Sequence, residues 1–322
     1  MRLKTIYLIL LFSFFSLSNI ALSQVESAEE SDSTKVEENT KWDDFDNVEE
    51  SDFENDEGWN YWVNSSKFTY KIEHPTIEVV YGIMKPSIDK SEFDGEFHQV
   101  GAVELRLGYT SIKENFFNEN ITEYDNSYFF LGNVSEEIST NQEVGDDKIA
   151  SDAWRLGFAW SDGYGYNLAD GYNIILYHTK GMMWSKLDFR NEAPNQKSKA
   201  AMDAYGDAVR FGNMFESGIK IHLFDYIALG GSFQRSMVYP RHMFWYWTAS
   251  EIVSGFGHVL VDTFIDDIIE ASPYAGPFVY AILHTGISYG MSELQRKDMN
   301  WPIDTHAPFF NEGFQVSFSF VF

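Results

Sequence analysis

The chain has 322 residues, no cysteine and a formal net charge of −26. The lack of cysteine excludes disulfides, thiol catalysis, cysteine-ligated metals and a lipoprotein anchor, and the acidic balance argues against nucleic-acid binding, which needs basic patches. Aromatic residues make up 17% of the chain, yet the mean hydropathy is −0.29. This combination is typical of strands in which only alternate residues are apolar.

The N-terminus predicts a secretory signal peptide over residues 1–23. Arg2 and Lys4 precede an uncharged, largely apolar run over 5–22, and Ala21 and Ser23 place small residues where a signal peptidase cleaves. No later run of about 18 apolar residues is long enough for a membrane-spanning helix. The expected location after export is the periplasm, the cell surface or the outer membrane of a Gram-negative bacterium.

An acidic segment follows over residues 24–60. Between Val25 and Asn60 the chain has fifteen acidic and two basic residues, so it cannot bury enough apolar surface to fold and is expected to be disordered. Residues 25–60 are either a solvated spacer or a recognition segment for a basic periplasmic partner, and the spacer is the more common use of such tails.

Residues 61–322 alternate with the period of β-strands. In the clearest strand Val103, Leu105 and Leu107 share one face and Glu104 and Arg106 the other. An even count of eight strands suits a closed barrel. The long connection between 111 and 124 could hold one further hairpin, and the barrel would then have ten strands. The eight predicted strands are 67–84, 97–111, 124–136, 152–162, 172–189, 209–223, 226–240 and 313–322.

Charged residues recur on the faces predicted to point inward. They fit an ion-pair network that fills the lumen, because an eight-stranded barrel has room only for side chains. The alternative is a solute path, which requires more strands. The predicted inward residues are Glu78, Glu104, Arg106, Arg155, Lys220 and His222.

The last strand carries the most specific pattern of the chain. Apolar residues occupy every second position up to a terminal phenylalanine, namely Phe314, Val316, Phe318, Phe320 and Phe322. The pattern resembles the C-terminal insertion signal of bacterial outer-membrane β-barrels. The resemblance implies an antiparallel transmembrane barrel, an outer-membrane location with the N-terminal tail in the periplasm, and contact with outer-membrane lipid and the barrel-insertion machinery. It points to no specific family.

An insertion at about 244–296 has the helical period instead. One helix is predicted over Phe244–Ala271, ended by Pro273, and a second segment over Phe278–Arg296 is either a helix or another strand. The insertion can cap the barrel mouth, pack inside a wider barrel or lie at the membrane interface. The aromatic run Phe244–Trp247 favours the capping or interfacial placement.

A polar stripe on the first helix supplies the candidate chemistry. His258, Asp262 and Asp266 lie one turn apart, so they can form a metal site or a general base with an orienting carboxylate. Glu251, Ser254 and Glu270 belong to the same stripe, and Ser250 lies nearby. Most amphipathic helices have such a stripe without any chemistry, and no motif elsewhere supports a metal or a cofactor. Asp162-Gly163-Tyr164-Gly165 is predicted to be a turn.

Three functions remain open on the sequence. The favoured one is a non-enzymatic outer-membrane barrel with a structural, docking or surface-interaction role. The first alternative is a lipid-active outer-membrane enzyme that uses the stripe from Glu251 to Asp266. The second alternative is a small-solute channel.

Overall fold

A computed structural model describes residues 73–115, 118–139, 148–169, 171–190, 193–206, 208–224 and 226–322. The predicted signal peptide and acidic segment lie outside these residues. The strands are β1 His74–Ser87, β2 Val100–Glu114, β3 Ile121–Ser135, β4 Ala150–Ala169, β5 Tyr172–Arg190, β6 Arg210–Leu223, β7 Ile227–Val238 and β8 Phe309–Val321. The α-helices are α1 Gln196–Asp203, α2 Phe244–Ala271 and α3 Gly276–Leu294.

The eight strands close into one antiparallel barrel. Each strand pairs with its neighbours in sequence, and β8 completes the barrel by pairing with both β7 and β1. The predicted eight-stranded barrel with a helical insertion before the last strand is thus confirmed. The further hairpin considered between 111 and 124 is absent from the described residues, because β2 extends to Glu114 and β3 begins at Ile121. These extensions shorten the connection that had suggested it.

The alternation of residues separates the two sides of the barrel wall. Polar side chains on the lumen side are buried, whereas apolar side chains on the outer side are exposed; Val79 is 51% exposed and its neighbour Glu78 only 2%. We call the exposed outer residues of these strands the apolar belt. On five strands they are Ile77, Val79, Tyr81 and Ile83; Val103, Leu105, Leu107 and Tyr109; Phe129 and Leu131; Trp154, Leu156, Phe158 and Trp160; Phe314, Val316, Phe318 and Phe320.

We call the end where β7 leads into α2 the upper end of the barrel. There the lumen is filled by an aromatic and aliphatic cluster to which the loop before β2 contributes Phe93 and Phe97. Phe97 contacts Phe309 at the start of β8 with ring centroids 5.5 Å apart, and Met202 and Tyr205, in and just after α1, join the same cluster. The upper mouth is therefore packed with side chains.

One local prediction was wrong. Asp162-Gly163-Tyr164-Gly165 lies inside β4, which continues to Ala169, and is not a turn. A side-chain carbon on Gly163 would lie 2.3 Å from the carbonyl oxygen of Leu176 on β5 and 2.9 Å from the Tyr177 Cα. Glycine is required there because the neighbouring backbone approaches closely. Glycine is also common in turns, and the segment was predicted to be a turn for this reason.

This close approach gives a first testable prediction. Gly163→Ala should lower the free energy of unfolding by about 1–3 kcal/mol, because the added methyl group forces β4 and β5 apart. Gly286→Ala in α3 is the control, since nothing lies within 4 Å of the added carbon and alanine favours a helix over glycine by about 1 kcal/mol. Urea titrations of both refolded variants measure the difference, and equal midpoints contradict the explanation.

The two long helices form a helical hairpin joined by a short turn at 272–275. The α2 bounds are those predicted, and the second segment is a helix and not a strand. No helix in the described part of the chain is long and apolar enough to cross a membrane. The hairpin neither caps the mouth nor enters the lumen: α3 packs against the outer wall of β4, β5 and β6. Two of the three predicted placements were therefore wrong, and the interfacial placement stays a prediction.

Candidate functional site

The lumen contains a neutral set of three carboxylates and three cations. Arg106 lies 2.7 Å from Glu104, 2.6 Å from Glu216 and 3.9 Å from Glu78. Arg155 pairs with Glu104 at 3.0 Å, and Lys220 pairs with Glu78 at 3.2 Å. Every one of these side chains is at most 4% exposed, so each charge needs its partner.

All six predicted lumen residues lie in the lumen, including His222, whose ring centroid is 6.4 Å from that of Tyr124. Glu216 was not among the predicted lumen residues, although it lies on the even-numbered face of β6 with Lys220 and His222. Glu216 also accepts a hydrogen bond of 2.6 Å from the hydroxyl of Tyr177. The parity of β6 would have identified it.

The helical hairpin is arranged inside out compared with a helix of a water-soluble protein. On α3 the side chains buried against the barrel include Tyr280, His284, Ser288 and Ser292, four residues apart. Its exposed side chains are apolar, for example Phe278 at 59% and Ile282 at 54%. The polar stripe thus faces the protein and the apolar side faces the surroundings.

The first helix follows the same rule. His258 is 5% exposed, whereas Phe256, Leu260 and Phe264 are exposed by 58% or more. Glu251 accepts a hydrogen bond from Asn213 on the outer face of β6. The predicted polar stripe is thus turned toward the barrel wall from Glu251 to Asp262, whereas Glu270 is exposed and the side chain of Asp266 lies outside the described residues.

A chain of polar contacts crosses from the hairpin to the barrel, and we call it the histidine–serine chain. The Nε2 atom of His284 lies 3.2 Å from the Asp262 carboxylate, although without hydrogen-bond alignment. The Nδ1 atoms of His284 and His258 are 2.7 Å apart. The hydroxyl of Ser288 lies 3.1 Å from His258 Nε2 and 3.0 Å from His178 Nε2.

The chain ends on the barrel wall, where His178 Nδ1 lies 2.8 Å from the hydroxyl of Ser217. His178 and Ser217 face outward and pair directly across β5 and β6, and both belong to the wall that the hairpin covers. On β6 the outward neighbours of Ser217 are Phe215 and Ile219. The polar contacts therefore lie at the level of the apolar belt, which is an unusual place for four titratable side chains.

His258 and Asp262 were among the predicted residues, but their partners were not. His284 and Ser288 carried a usable signal, the spacing of four residues in Tyr280, His284, Ser288 and Ser292, which becomes visible once α3 is read as a helix. His178 carried none, because the alternation along β5 is irregular. No group of three or more His, Asp or Glu side chains in the described residues is arranged to hold a metal ion.

Four further contacts secure the two ends of the hairpin. Near the turn, Tyr166 donates a hydrogen bond of 2.7 Å to the Tyr274 carbonyl, and Tyr280 donates one to Asp162. Near the upper end, Arg235 of β7 contacts Ser292 and Glu293 of α3 at 2.6 Å each. The hairpin is thus held to the wall by polar contacts along its length.

An open groove of about 330 Å³ runs beside α3 on the outer wall. Its floor is apolar and includes Ile83, Phe233 and Phe314, which pair directly across β1, β8 and β7. Two residues nearer the upper end, the next outward row consists of Lys85, Glu312 and Arg235. The groove therefore has an apolar lower part and a charged upper rim.

No protein-family model matches the chain, and no curated protein is significantly similar to it in sequence. Among solved structures, Neisserial surface protein A is similar, with 6% sequence identity and a TM-score of 0.34 over 77% of this chain and 97% of that chain. Ail, the attachment invasion locus protein of Yersinia pestis, has 6% identity and a TM-score of 0.28 over 77% of this chain and 98% of that chain. With TM-scores this low, the barrel fold is established by the strand register alone.

Proposed function

We propose that the chain is an outer-membrane β-barrel protein with a closed lumen, which acts through its outer wall by docking or surface interaction. The exposed apolar belt carries the proposal: it covers the outer wall, and the exposed apolar side of the hairpin continues it. In water a contiguous apolar surface of this kind favours aggregation, whereas lipid is its natural solvent. The predicted signal peptide and C-terminal pattern support the same location.

The N-terminal tail and the C-terminal strand give this proposal its partners. Phe314, Phe318 and Phe320 are exposed on the outer face of β8, where they are available to outer-membrane lipid and to the insertion machinery. The acidic segment 25–60 is proposed to remain in the periplasm, either as a spacer or as a docking segment for a basic partner.

Refolding into detergent tests the location. The full chain should migrate differently on a gel before and after boiling and give a β-rich circular dichroism spectrum, because a closed barrel resists unfolding until heated. A chain that folds only in detergent-free buffer contradicts the proposal, since the apolar belt then needs no lipid.

The filled lumen predicts that the barrel does not conduct. Six charged side chains pair across its interior and the upper mouth holds an aromatic cluster, as expected of an eight-stranded barrel, whose interior has room only for side chains. Planar bilayers containing the refolded protein should show no discrete conductance steps. Regular steps of constant size at low voltage would support the channel alternative instead.

One observation favours the lipid-active enzyme as a second candidate function. A serine hydroxyl lies within hydrogen-bond distance of two imidazoles, and one of these leads through a second imidazole to a carboxylate. Nucleophile, base and orienting group within such distances form the arrangement that activates a serine. The contacts described for the polar stripe of α2 thus give the alternative a specific site.

A further inference from the structure

We propose that Ser288 is the nucleophile of an acyl-ester hydrolase that takes its substrate from the surrounding bilayer. This inference rests on the proposed membrane location. His258 is the general base, and His284 and Asp262 are positioning residues that act through it. The site combines side chains of α2 and α3 with His178 of the barrel wall, so it exists only when the hairpin is docked.

The carboxylate of Asp262 sets the direction of the protons along the chain. It attracts the proton of His284 to the facing Nε2 atom, which leaves His284 Nδ1 as an acceptor for the Nδ1 proton of His258. The Nε2 atom of His258 is then unprotonated and accepts from the Ser288 hydroxyl at 3.1 Å. His258 is therefore in the tautomer that can remove the serine proton.

The reaction follows from this proton arrangement. The Ser288 oxygen bonds to the ester carbonyl carbon while its proton moves to His258 Nε2. His258 then protonates the leaving alcohol as the ester C–O bond breaks, and the acyl group remains on Ser288. Water, deprotonated by the same imidazole, releases the fatty acid and restores the serine. With its Nε2 protonated, His178 donates to the serine oxygen at 3.0 Å, which leaves the serine proton directed at His258.

The groove beside α3 lies next to this site and is the proposed binding surface for the substrate. Its apolar floor belongs to one row of directly paired outward residues that continues from Phe233 on β7 to Ser217 on β6 and His178 on β5. Neighbouring strands are about 4.8 Å apart, so the groove ends one strand from Ser217. Tyr289, the residue after Ser288, lines the groove from the helix side.

The two parts of the groove match the two parts of a lipid. The row of Phe233, Phe314 and Ile83 suits an acyl chain, and the rim suits a polar head with negative charge. Lys85 is exposed at this rim and has no ion-pair partner among the described residues, whereas Glu312 already pairs with Arg235. The substrate class is therefore an acyl ester of an anionic membrane lipid.

Active-site labelling of the full chain tests the nucleophile. The wild type, refolded in detergent, should react with a fluorophosphonate probe, and peptide mapping should place the probe on Ser288. Ser288→Ala should lose the label. Ser250→Ala is the matched control, because Ser250 is also a buried hydroxyl of the hairpin, bonded to Gln295 at 2.9 Å, and it should keep the label.

Turnover is measured on vesicles of phosphatidylglycerol and phosphatidylethanolamine with radiolabelled acyl chains. The wild type should release free fatty acid, and Ser288→Ala should fall to the level of protein-free vesicles. With a soluble p-nitrophenyl ester in detergent, Asp262→Asn should lower kcat by about 10²–10⁴-fold at an unchanged KM. A loss that appears in KM alone indicates a structural network and contradicts the positioning role.

The outcomes separate this inference from the membrane proposal. Boiling-dependent gel mobility is recorded on every sample, so a folded wild type without label and without fatty-acid release overturns the hydrolase alone. Label on a serine other than Ser288 overturns it as well. Failure of the wild type to show the mobility shift overturns the membrane barrel. Because labelling and mapping are performed on the wild type, the test holds even if Ser288→Ala does not fold.

Discussion

Replacing Arg106 with alanine should lower the free energy of unfolding by about 3–5 kcal/mol. Arg106 lies within ion-pair distance of Glu104, Glu216 and Glu78, all at most 2% exposed. Without the guanidinium, Glu216 has no ion pair left among the described residues, and Glu104 keeps its pair with Arg155. Buried carboxylates with fewer cations must either stay charged in the lumen or take up protons, and both cost free energy.

The exposed pair of Arg190 and Glu137 is the matched control. Its N–O distance of 2.6 Å equals that of Arg106 and Glu216, but its side chains are 52% and 69% exposed. Water already stabilises both charges, so Arg190→Ala should change the free energy of unfolding by no more than about 1 kcal/mol. Urea unfolding in lipid vesicles gives both values, and similar losses contradict a desolvated lumen network.

Introducing arginine at Leu260 should cost about 2–4 kcal/mol of stability in lipid vesicles. Leu260 is 58% exposed on the outer side of α2, two residues after His258. In a soluble protein such an exposed position tolerates a charge within about 0.5 kcal/mol. The large expected loss arises only if hydrocarbon surrounds the hairpin, because the guanidinium must then be taken out of water.

Val209→Arg controls for the substitution itself. Val209 is 62% exposed and precedes β6 at the upper end of the barrel, outside the apolar belt, so its free energy of unfolding should barely change. Comparable effects at Val209 and Leu260 would show that the outer side of the hairpin faces water. The inside-out arrangement of α2 and α3 would then need another explanation.

Most of the strands were predictable because they keep an alternation of apolar and polar residues. Val103, Leu105 and Leu107 face outward as the pattern indicates, and Glu104 and Arg106 face the lumen. The strand ends were less predictable, since β4 runs seven residues past its predicted end at 162 to Ala169. Glycines in this extension mark close backbone approach, and sequence alone does not distinguish this use from a turn.

The helices were also predictable, but the surface that they cover was not. A helical period shows which residues share a face, and it identified the stripe with His258 and Asp262. It does not show whether water, lipid or protein lies against that face. For α2 the usual assumption that polar residues face outward is reversed, and the partners His284 and His178 come from elements 26 and 80 residues away in the chain.

The histidine–serine chain could not be predicted from the sequence for a related reason. Its distances depend on how α3 packs against β5, and this packing brings Ser288 to His178 across 110 residues of sequence. No local sequence motif encodes a contact between residues this far apart in the chain. The choice between helix and strand for α3 was decisive, since only the helix places His284 and Ser288 on the same face.

The helical hairpin leaves and rejoins the barrel at a single pair of residues. Val238 at the end of β7 pairs directly with Phe309 at the start of β8, so residues 239–308 form one long excursion between adjacent strands. A short connector could close the same gap without altering the order or register of any strand. The order and register of the strands therefore place no requirement on the length of this connection, and the hairpin is an addition to the barrel and not a part of its closure.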